Sequence, residues 1–301
     1  MRIAFIGGTG FIGPVAVRRA IAAGHEVLVI HRGEHPNPNP DAQSIQVDRS
    51  KRGALAAAIE RAAPDVVVDT RAMTRSDAEI TTQAWSGATV VLSSQDVYAQ
   101  FGRLLDHPAP EPEPVITEAS PLTVPHPYRH LEGAHGDPDY DKKDVESVFR
   151  RASSPVSVLR LPAVLGRGDP RRRFGAIVDR LDVGEHLPHV DGATWRWTRA
   201  HVEDVAHAIV LAAEQAPDGI FNVGDDAPTM REWCERFARH MNVQLWWEHV
   251  SEPPEELRHL GAMKNDVVVS SQAIRDAIGW SEVTSIEQRV ADVVAWARES
   301  R

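Results

Sequence analysis

Residues 3–13 read Ile-Ala-Phe-Ile-Gly-Gly-Thr-Gly-Phe-Ile-Gly, four apolar residues followed at once by a glycine loop. The apolar residues predict a buried strand, and Pro14 suits the first turn of a helix, where its missing N–H is not needed. Gly7 permits a tight turn out of the strand, Gly10 lets backbone N–H groups approach a ligand, and Gly13 allows the helix to pack on the sheet. This stretch predicts a βαβ unit whose helix N-terminus binds the pyrophosphate of a dinucleotide.

The glycine loop therefore defines the first set of expected cofactor-binding residues. These are Gly7, Thr9, Gly10, Phe11, Ile12 and Gly13. A glycine turn that binds nothing is the alternative, but the strand before it, the helix after it and a second strand at the expected distance favour cofactor binding.

Beyond the loop, apolar runs alternate with helical segments. Runs rich in Val, Ile and Leu occupy 27–30, 66–69, 90–93 and 156–161. Helices are predicted at 13–23, 52–63, 78–85, 141–151, 230–241 and 286–298, with a Trp-rich strand candidate at 244–249. Continuous apolar strands separated by helices are typical of a parallel sheet covered on both faces. We predict an α/β fold, a Rossmann doubly wound parallel sheet (1–165 and 198–225) with a small C-terminal α/β substrate lobe (166–197 and 226–301).

Composition limits the partners and the compartment. The formal net charge is −10 over 301 residues, which argues against a nucleic-acid or anionic-membrane surface. Cys234 is the only cysteine, so no intramolecular disulfide can form and a reducing compartment is expected. The apolar N-terminus is interrupted by glycines and reads as a strand rather than a signal peptide. No run approaches the roughly 20 apolar residues of a membrane span. The expectation is a cytoplasmic protein with no nucleic-acid or membrane partner.

The end of the second predicted strand should contact the adenosine ribose of the dinucleotide. An acidic residue there would favour NAD, but the strand ends in His31, Arg32 and Gly33. A guanidinium can form paired bonds with a 2′-phosphate, so Arg32 predicts NADP, with NAD as the less favoured cofactor. Arg32 stacked on adenine or solvated is the alternative. Asp48 is expected to accept from the adenine amino group, or else to be an exposed loop carboxylate.

Five stretches together resemble the extended, or atypical, short-chain dehydrogenase/reductase superfamily of the NAD(P)-dependent epimerase/dehydratase type. They are residues 7–13, 91–98, 159–166, 198–206 and 220–224. The resemblance implies that Ser94 is the catalytic serine and that Pro162 lies in the loop beside the nicotinamide. It also implies hydride transfer at a carbon bearing oxygen, as a reductase, epimerase or dehydratase.

The tyrosine and lysine of this family depart from the usual Tyr-x-x-x-Lys spacing. Four residues after Tyr140 comes Asp144, and a nearby carboxylate would raise a phenol pKa, the wrong direction for activation. Helix periodicity turns Lys142 toward the buried stripe, while Lys143 should be solvated. Counting back four residues from Lys142 places the family tyrosine on Pro138, which has no proton to give.

Tyr140 is therefore the candidate phenol, entering from a shifted position beside Lys142 and Ser94. The predicted catalytic residues are Ser94, Tyr140 and Lys142, with Lys142 also holding the cofactor. The alternative is that Tyr140 only packs, in which case the protein is a catalytically silent NAD(P)-binding sensor or scaffold.

Several other residues are of types that can bind metals or anions, transfer protons or pack. Histidines at 126, 130 and 135 lack the spacing and a fourth ligand for zinc, so no metal is expected. Asp96 and Asp137 could be acid/base groups, with a structural role as the alternative. Arginines 171–173 could grip an anionic small-molecule substrate or form a solvated turn. Trp195 and Trp197 share one face and are expected to pack, with a wall for an apolar or cyclic substrate as the alternative. The sequence leaves the oligomeric state open, a homodimer being one option.

Overall fold

The computed structural model describes residues 1–124, 138–224 and 226–301, and the predicted fold class is confirmed. Its centre is a seven-stranded sheet. The strands are β1 Arg2–Ile6, β2 Glu26–His31, β3 Gln43–Gln46, β4 Val66–Asp69, β5 Ala88–Ser94, β6 Val156–Leu161 and β10 Gly219–Asn222. Their order is β10-β6-β5-β4-β1-β2-β3, and every neighbouring pair is parallel. The order reverses between β1 and β4, where a sheet of this kind opens a ligand crevice at its carboxyl edge.

Helices cover both faces of this sheet, as the apolar runs predicted. The helices are α1 Ile12–Ala22, α2 Ala54–Ala62, α3 Arg75–Ala84, α4 Ala99–Arg103, α5 Lys142–Phe149, α6 Gly175–Asp182, α7 Val202–Gln215, α8 Met230–Met241, α9 Gln272–Ile278 and α10 Ile286–Glu299. Ile3 and Phe5 of β1 pack in a cluster with α1, α7 and α9. Ala4 and Ile6 face the opposite side and pack with α2. The strands are apolar throughout because both faces are buried.

A second apolar cluster lies beside the sheet. It joins α6, α8 and α10 with a short 3-10 helix, Glu255–Leu260, and with a two-stranded parallel pair. That pair is β8 Leu187–His189 and β11 Trp247–His249, the latter shorter than the strand expected at 244–249. Trp195 is buried in this cluster, as the packing interpretation expected, and Cys234 is buried there as well. No helix in the described residues is both long and apolar enough to cross a membrane.

The proposed division into core and lobe stays a prediction. The strands β7 Ala163–Leu165 and β9 Arg199–His201 pair in parallel close to the predicted boundaries at 165 and 198. The segment 272–280, which we assigned to the lobe, contributes Ile274, Ile278 and Trp280 to the cluster on the sheet. Residues 272–280 therefore pack against the central sheet before the chain continues into α10.

Side-chain caps decide where two of the helices begin. Thr74 accepts from the N–H of Asp77, and the Asp77 carboxylate accepts from the N–H of Thr74, so α3 starts three residues before the predicted 78. Asp141 accepts from the N–H of Lys143 at 2.9 Å and starts α5 at Lys142. Tyr140 therefore lies just outside the helix and Lys142 in its first turn.

Candidate active site

The glycine loop has the conformation that its sequence predicts. Gly7 follows β1 with φ +85°, and its N–H donates to the carbonyl of Ile30 at 2.9 Å. A Cβ on Gly13 would lie 2.7 Å from the Cα of Gly8, so only glycine lets α1 approach the loop this closely. A Cβ on Gly10 would meet nothing within 4 Å, because this residue faces open space.

The start of α1 fits an anionic group. No side chain caps the first turn of α1 and no acidic residue lies in it, so its N–H groups have no side-chain acceptor there. A cleft of about 500 Å³ opens in front of the loop. Among its lining residues are Gly7, Thr9, Gly10, Arg32 and Asp48. Phe11, Ile12 and Gly13 could contribute through the backbone at the helix start.

The adenosine end of this cleft carries charges of both signs. Arg32 pairs with Glu34 at 2.8 Å, and both side chains are more than half exposed. Asp48 accepts from the N–H and the hydroxyl of Ser50, and these bonds hold the pKa of its carboxyl below the usual value. Arg32 and Asp48 therefore both line this cleft, and each already has a partner in its own loop.

Two arginines of this cleft were missed by the sequence reasoning. Arg49 forms paired bonds of 3.0 and 3.2 Å with Asp69, which is fully buried at the end of β4. Burial alone raises the pKa of Asp69, but the charge and hydrogen bonds of Arg49 and a bond from Thr81 bring it below the usual value. Arg71 lies across the loop, since its Cγ is 2.1 Å from where a Cβ on Gly7 would be. For Arg49, the available signal in the sequence was Asp69, an acidic residue that ends a buried strand.

A second pocket, of about 680 Å³, lies farther along the carboxyl edge of the sheet. Its lining joins residues from five separate segments of the chain. Those segments are 94–96, 161–163, 171–177, 197–199 and 256–259, together with Phe101. Ser94, Pro162, the arginines 171–173 and Trp197 were singled out in the sequence, whereas Phe101, Arg199 and His259 were not.

The arginine loop of this second pocket is held by its own ion pairs. Asp169 accepts from the N–H groups of Arg171 and Arg173 and pairs with the Arg173 guanidinium at 2.6 Å. Arg172 and Phe174 have positive φ values of 46° and 66°, a conformation that side chains rarely adopt. In the described part of the chain, the guanidinium of Arg171 makes no hydrogen bond or ion pair.

Aromatic rings and a cation form another wall of the pocket. The guanidinium of Arg199 lies 3.9 Å from the ring centre of Trp197, and Phe101 lies 5.8 Å from the same ring. His259 packs against Trp197 at 6.1 Å. Burial, helped by nearby arginines such as Arg199, lowers the pKa of His259 to about 3, so its imidazole is neutral near pH 7. The positive charge of this wall therefore comes from Arg199 and not from His259.

The predicted catalytic residues lie around the end of β5. Ser94 is the last residue of this strand, Asp96 lies in the turn that follows it, and both line the second pocket. The Tyr140 hydroxyl donates to Asp96 Oδ2 at 2.9 Å. The Lys142 amine donates to the carbonyls of Ala72 at 2.6 Å and Leu92 at 3.0 Å. Burial lowers the pKa of Lys142 to about 8, against the attraction of Asp96 and Asp69. Lys142 thus points inward as periodicity predicted.

Two nearby expectations differ from the structure. Lys143 is not simply solvated, because its amine donates to the carbonyl of Thr123 at 2.5 Å. Asp144 pairs with Arg75 at 2.7 Å, so that its charge is matched by a guanidinium. The histidines 126, 130 and 135 and Asp137 lie outside the described residues. Within residues 1–124, 138–224 and 226–301, no group of three or more potential metal ligands occurs.

The fold is of the Rossmann type, with a cleft at the glycine loop and a second pocket lined partly by the end of β5. A family model described as "NAD dependent epimerase/dehydratase family" matches residues 3–103 and 141–224. The chain belongs to this family, as the resemblance implied.

Characterised relatives of the chain include two reductases. A 3-diazoavenalumate denitrifying reductase from a Streptomyces species is 26% identical over 268 residues, which cover 81% of this chain and 82% of the reductase. A 2′-dehydrokanamycin reductase from Streptomyces kanamyceticus is 27% identical, covering 85% of this chain and 70% of that protein. Among solved structures, UDP-glucuronic acid 4-epimerase from Bacillus cereus in complex with NAD superposes with a TM-score of 0.73 at 13% identity, covering 100% of this chain and 99% of that one. That likeness shows the fold.

Proposed function

We propose that the chain is an NADP-dependent oxidoreductase that reduces a carbonyl group of a small, anionic substrate. The observation that carries this proposal is that Ser94, Asp96, Tyr140 and Lys142 lie around the end of β5, where Ser94 and Asp96 line the second pocket. When bound, the nicotinamide would supply a hydride at this point. The two relatives named reductases favour reduction over epimerisation or dehydration.

The residues around the first cleft suit a dinucleotide. The backbone of Gly7, Thr9, Gly10, Phe11, Ile12 and Gly13 would hold the pyrophosphate, Arg32 a 2′-phosphate, Asp48 the adenine amino group, and Lys142 with Pro162 the nicotinamide end. An ammonium has three N–H donors, and Lys142 uses two of them on backbone carbonyls. The third would be available to a ribose hydroxyl.

The preference for NADP rests on Arg32 alone. Arg32 lines the cleft at the end of β2, where its guanidinium can leave Glu34 for a phosphate that carries more charge. The related epimerase structure contains NAD, so both cofactors belong in the test. The anionic character of the substrate rests on Arg171 and on the positive wall around Trp197.

The test is turnover with both reduced cofactors. The chain is incubated with NADPH or NADH and a panel of anionic and neutral carbonyl compounds, and the loss of the reduced-nicotinamide absorbance is recorded. We expect turnover with NADPH and an anionic carbonyl compound, lost in Lys142→Met. Because Pro138 stands where the family tyrosine would fall, a silent sensor is the rival. Tight cofactor binding by calorimetry without turnover across the panel would favour that rival.

A further inference from the structure

We infer that Asp96, rather than Tyr140, exchanges a proton with the substrate oxygen, and that Tyr140 is a positioning residue for the Asp96 carboxyl group. This inference rests on the proposed oxidoreductase function and concerns the same site. Both side chains are buried, Asp96 at 4% and Tyr140 at 1% exposure. Asp96 nevertheless lines the second pocket together with Ser94, whereas Tyr140 does not belong to the described lining of that pocket.

The turn after β5 places Asp96 at the pocket. A short 3-10 helix, Gln95–Val97, begins directly after the strand, and Asp96 is its central residue. The N–H of Asp96 donates to the hydroxyl oxygen of Ser94 at 3.3 Å, which fixes the two residues in one turn. Because the turn lies at the carboxyl edge of the sheet, both side chains reach the same space. A substrate oxygen held by Ser94 would therefore lie close to the carboxyl group of Asp96.

Tyr140 approaches the same carboxyl group from the buried side. Its hydroxyl donates to Asp96 Oδ2 at 2.9 Å, and its ring is enclosed by protein. A proton moving from this phenol toward the pocket meets the Asp96 carboxyl group first. Direct transfer from Tyr140 to a substrate would require this hydrogen bond to break, whereas transfer from Asp96 requires no rearrangement of the described residues. The Tyr140 phenol is thus suited to fix the orientation of the Asp96 carboxyl group.

The charge balance of the step involves Lys142. When bound, the reduced nicotinamide would supply the hydride that the carbonyl carbon gains, and the carbonyl oxygen would take the proton of the Asp96 carboxyl group. The O–H bond of the carboxyl group breaks, the O–H bond of the alcohol forms, and the carboxylate regains a proton from bulk solvent after product release. Positive charge on Lys142 attracts the carboxylate that forms. The hydrogen bond donated by Tyr140 is also stronger to the carboxylate than to the neutral carboxyl group, so it stabilises the carboxylate that forms.

The first experiment compares two single variants under saturating NADPH. Removal of a direct proton donor costs about 10²–10⁴-fold in turnover. We therefore expect Asp96→Asn to lose more than about 100-fold in kcat, with KM and the NADPH dissociation constant changed by less than about threefold. Tyr140→Phe should lose about tenfold or less, and Asp96→Glu should recover part of the activity. A loss in Tyr140→Phe equal to or larger than that in Asp96→Asn would overturn the inference.

The pH profile separates positioning from a merely structural role. Reduction needs the protonated carboxyl group, and loss of the Tyr140 hydrogen bond disfavours the carboxylate. The decline of kcat that reports Asp96 should therefore move to higher pH in Tyr140→Phe, while the further decline above about pH 8 that belongs to Lys142 should stay in place. An equal loss at every pH would contradict the positioning role.

A titration without substrate distinguishes failure of the inference from failure of the proposed function. Tyrosinate absorbance is recorded against pH for the chain alone, and subtracting the Tyr140→Phe curve isolates Tyr140. Burial raises the pKa of Tyr98 to about 12, so this second phenol ionises late. The Tyr140 signal should rise at lower pH in Asp96→Asn than in the unaltered chain, because a neighbouring carboxylate opposes phenolate formation. Unchanged curves would overturn the coupling even if no substrate is found.

Discussion

The two clefts at the carboxyl edge of the sheet are built in different ways. The cofactor cleft depends on backbone geometry, since Gly7 turns the chain and Gly13 admits the helix to the loop. The second pocket depends on side chains that come from segments as far apart as residues 94 and 259. Its loop is fixed by ion pairs such as that between Arg172 and Asp179. We therefore expect the first cleft to lose cofactor affinity when side-chain atoms are added to its glycines. The second pocket should lose substrate affinity when charged side chains are removed.

The largest effect is expected at Gly13. In Gly13→Ala the new Cβ would lie 2.7 Å from backbone atoms of Gly8, which cannot move aside as a flexible side chain can. We expect the free energy of unfolding to fall by about 1–3 kcal/mol and cofactor affinity to fall by more than about 100-fold.

The control for that prediction is Gly10→Ala. Its Cβ would enter open space, so the Tm should be unchanged, while cofactor affinity should fall by about tenfold because the methyl group occupies the approach to the backbone. Thermal unfolding and calorimetric binding check both variants. A Gly13→Ala protein that binds the cofactor normally would refute the backbone origin of the cleft.

The next effect concerns Lys142 and pH. With its pKa near 8, the amine loses its proton above that pH, so turnover should fall about tenfold per pH unit beyond it. The free energy of unfolding should change with pH in the opposite direction to turnover. The unfolded chain keeps this proton up to the ordinary value of 10.5, so this residue makes folding more favourable as pH rises from about 8 to 10.5.

Chemical denaturation across that pH range and initial rates at saturating substrate measure the two trends. Lys142→Met should abolish the pH-dependent gain in stability that this residue contributes. If turnover of the unaltered chain does not fall at alkaline pH, the charge of Lys142 is not needed.

A moderate effect is expected at Arg171. Loss of a hydrogen bond to a charged group costs about 1.5–3 kcal/mol, so Arg171→Ala should raise the KM for an anionic substrate by about 10–100-fold with the Tm unchanged. Arg172→Ala is the matched control, because Arg172 pairs with Asp179 at 2.6 and 2.7 Å. It should lower the Tm and change KM less than Arg171→Ala does, because it acts only by loosening the loop. If both variants change KM equally, the substrate contact does not belong to Arg171.

The smallest effect is expected at the adenosine end. Arg32→Ala should weaken NADPH binding about tenfold and leave NADH binding unchanged, since only NADPH carries the 2′-phosphate. Glu34→Ala should strengthen NADPH binding by a few-fold, because Arg32 then has no competing partner. Equal effects on both cofactors would remove the basis for an NADP preference.

The same contrast explains what the sequence could predict. The glycine loop was predictable because each of its residues has a local conformational reason, and the alternation of apolar runs and helices predicted the parallel sheet. The inward direction of Lys142 followed from helix periodicity alone.

The Asp96–Tyr140 bond was not predictable, because it joins positions 44 residues apart through the packing of α5 against β5. Arg199 and His259 were missed for a similar reason. Neither has a local pattern that signals a ligand, and only folding brings them to Trp197. Residues that touch across long sequence separations depend on tertiary geometry, which propensity and periodicity do not encode.

The attachment of Arg172 reaches beyond the pocket. Its guanidinium also donates to the carbonyl of Ala297, in the last turns of α10, so this helix braces the arginine loop. Arg298 and Arg301 add to this brace through Asp182. Substitutions in the last turn of α10 would therefore act on substrate recognition from a distance. For directed evolution, this turn offers a way to change selectivity that leaves the chemical groups untouched.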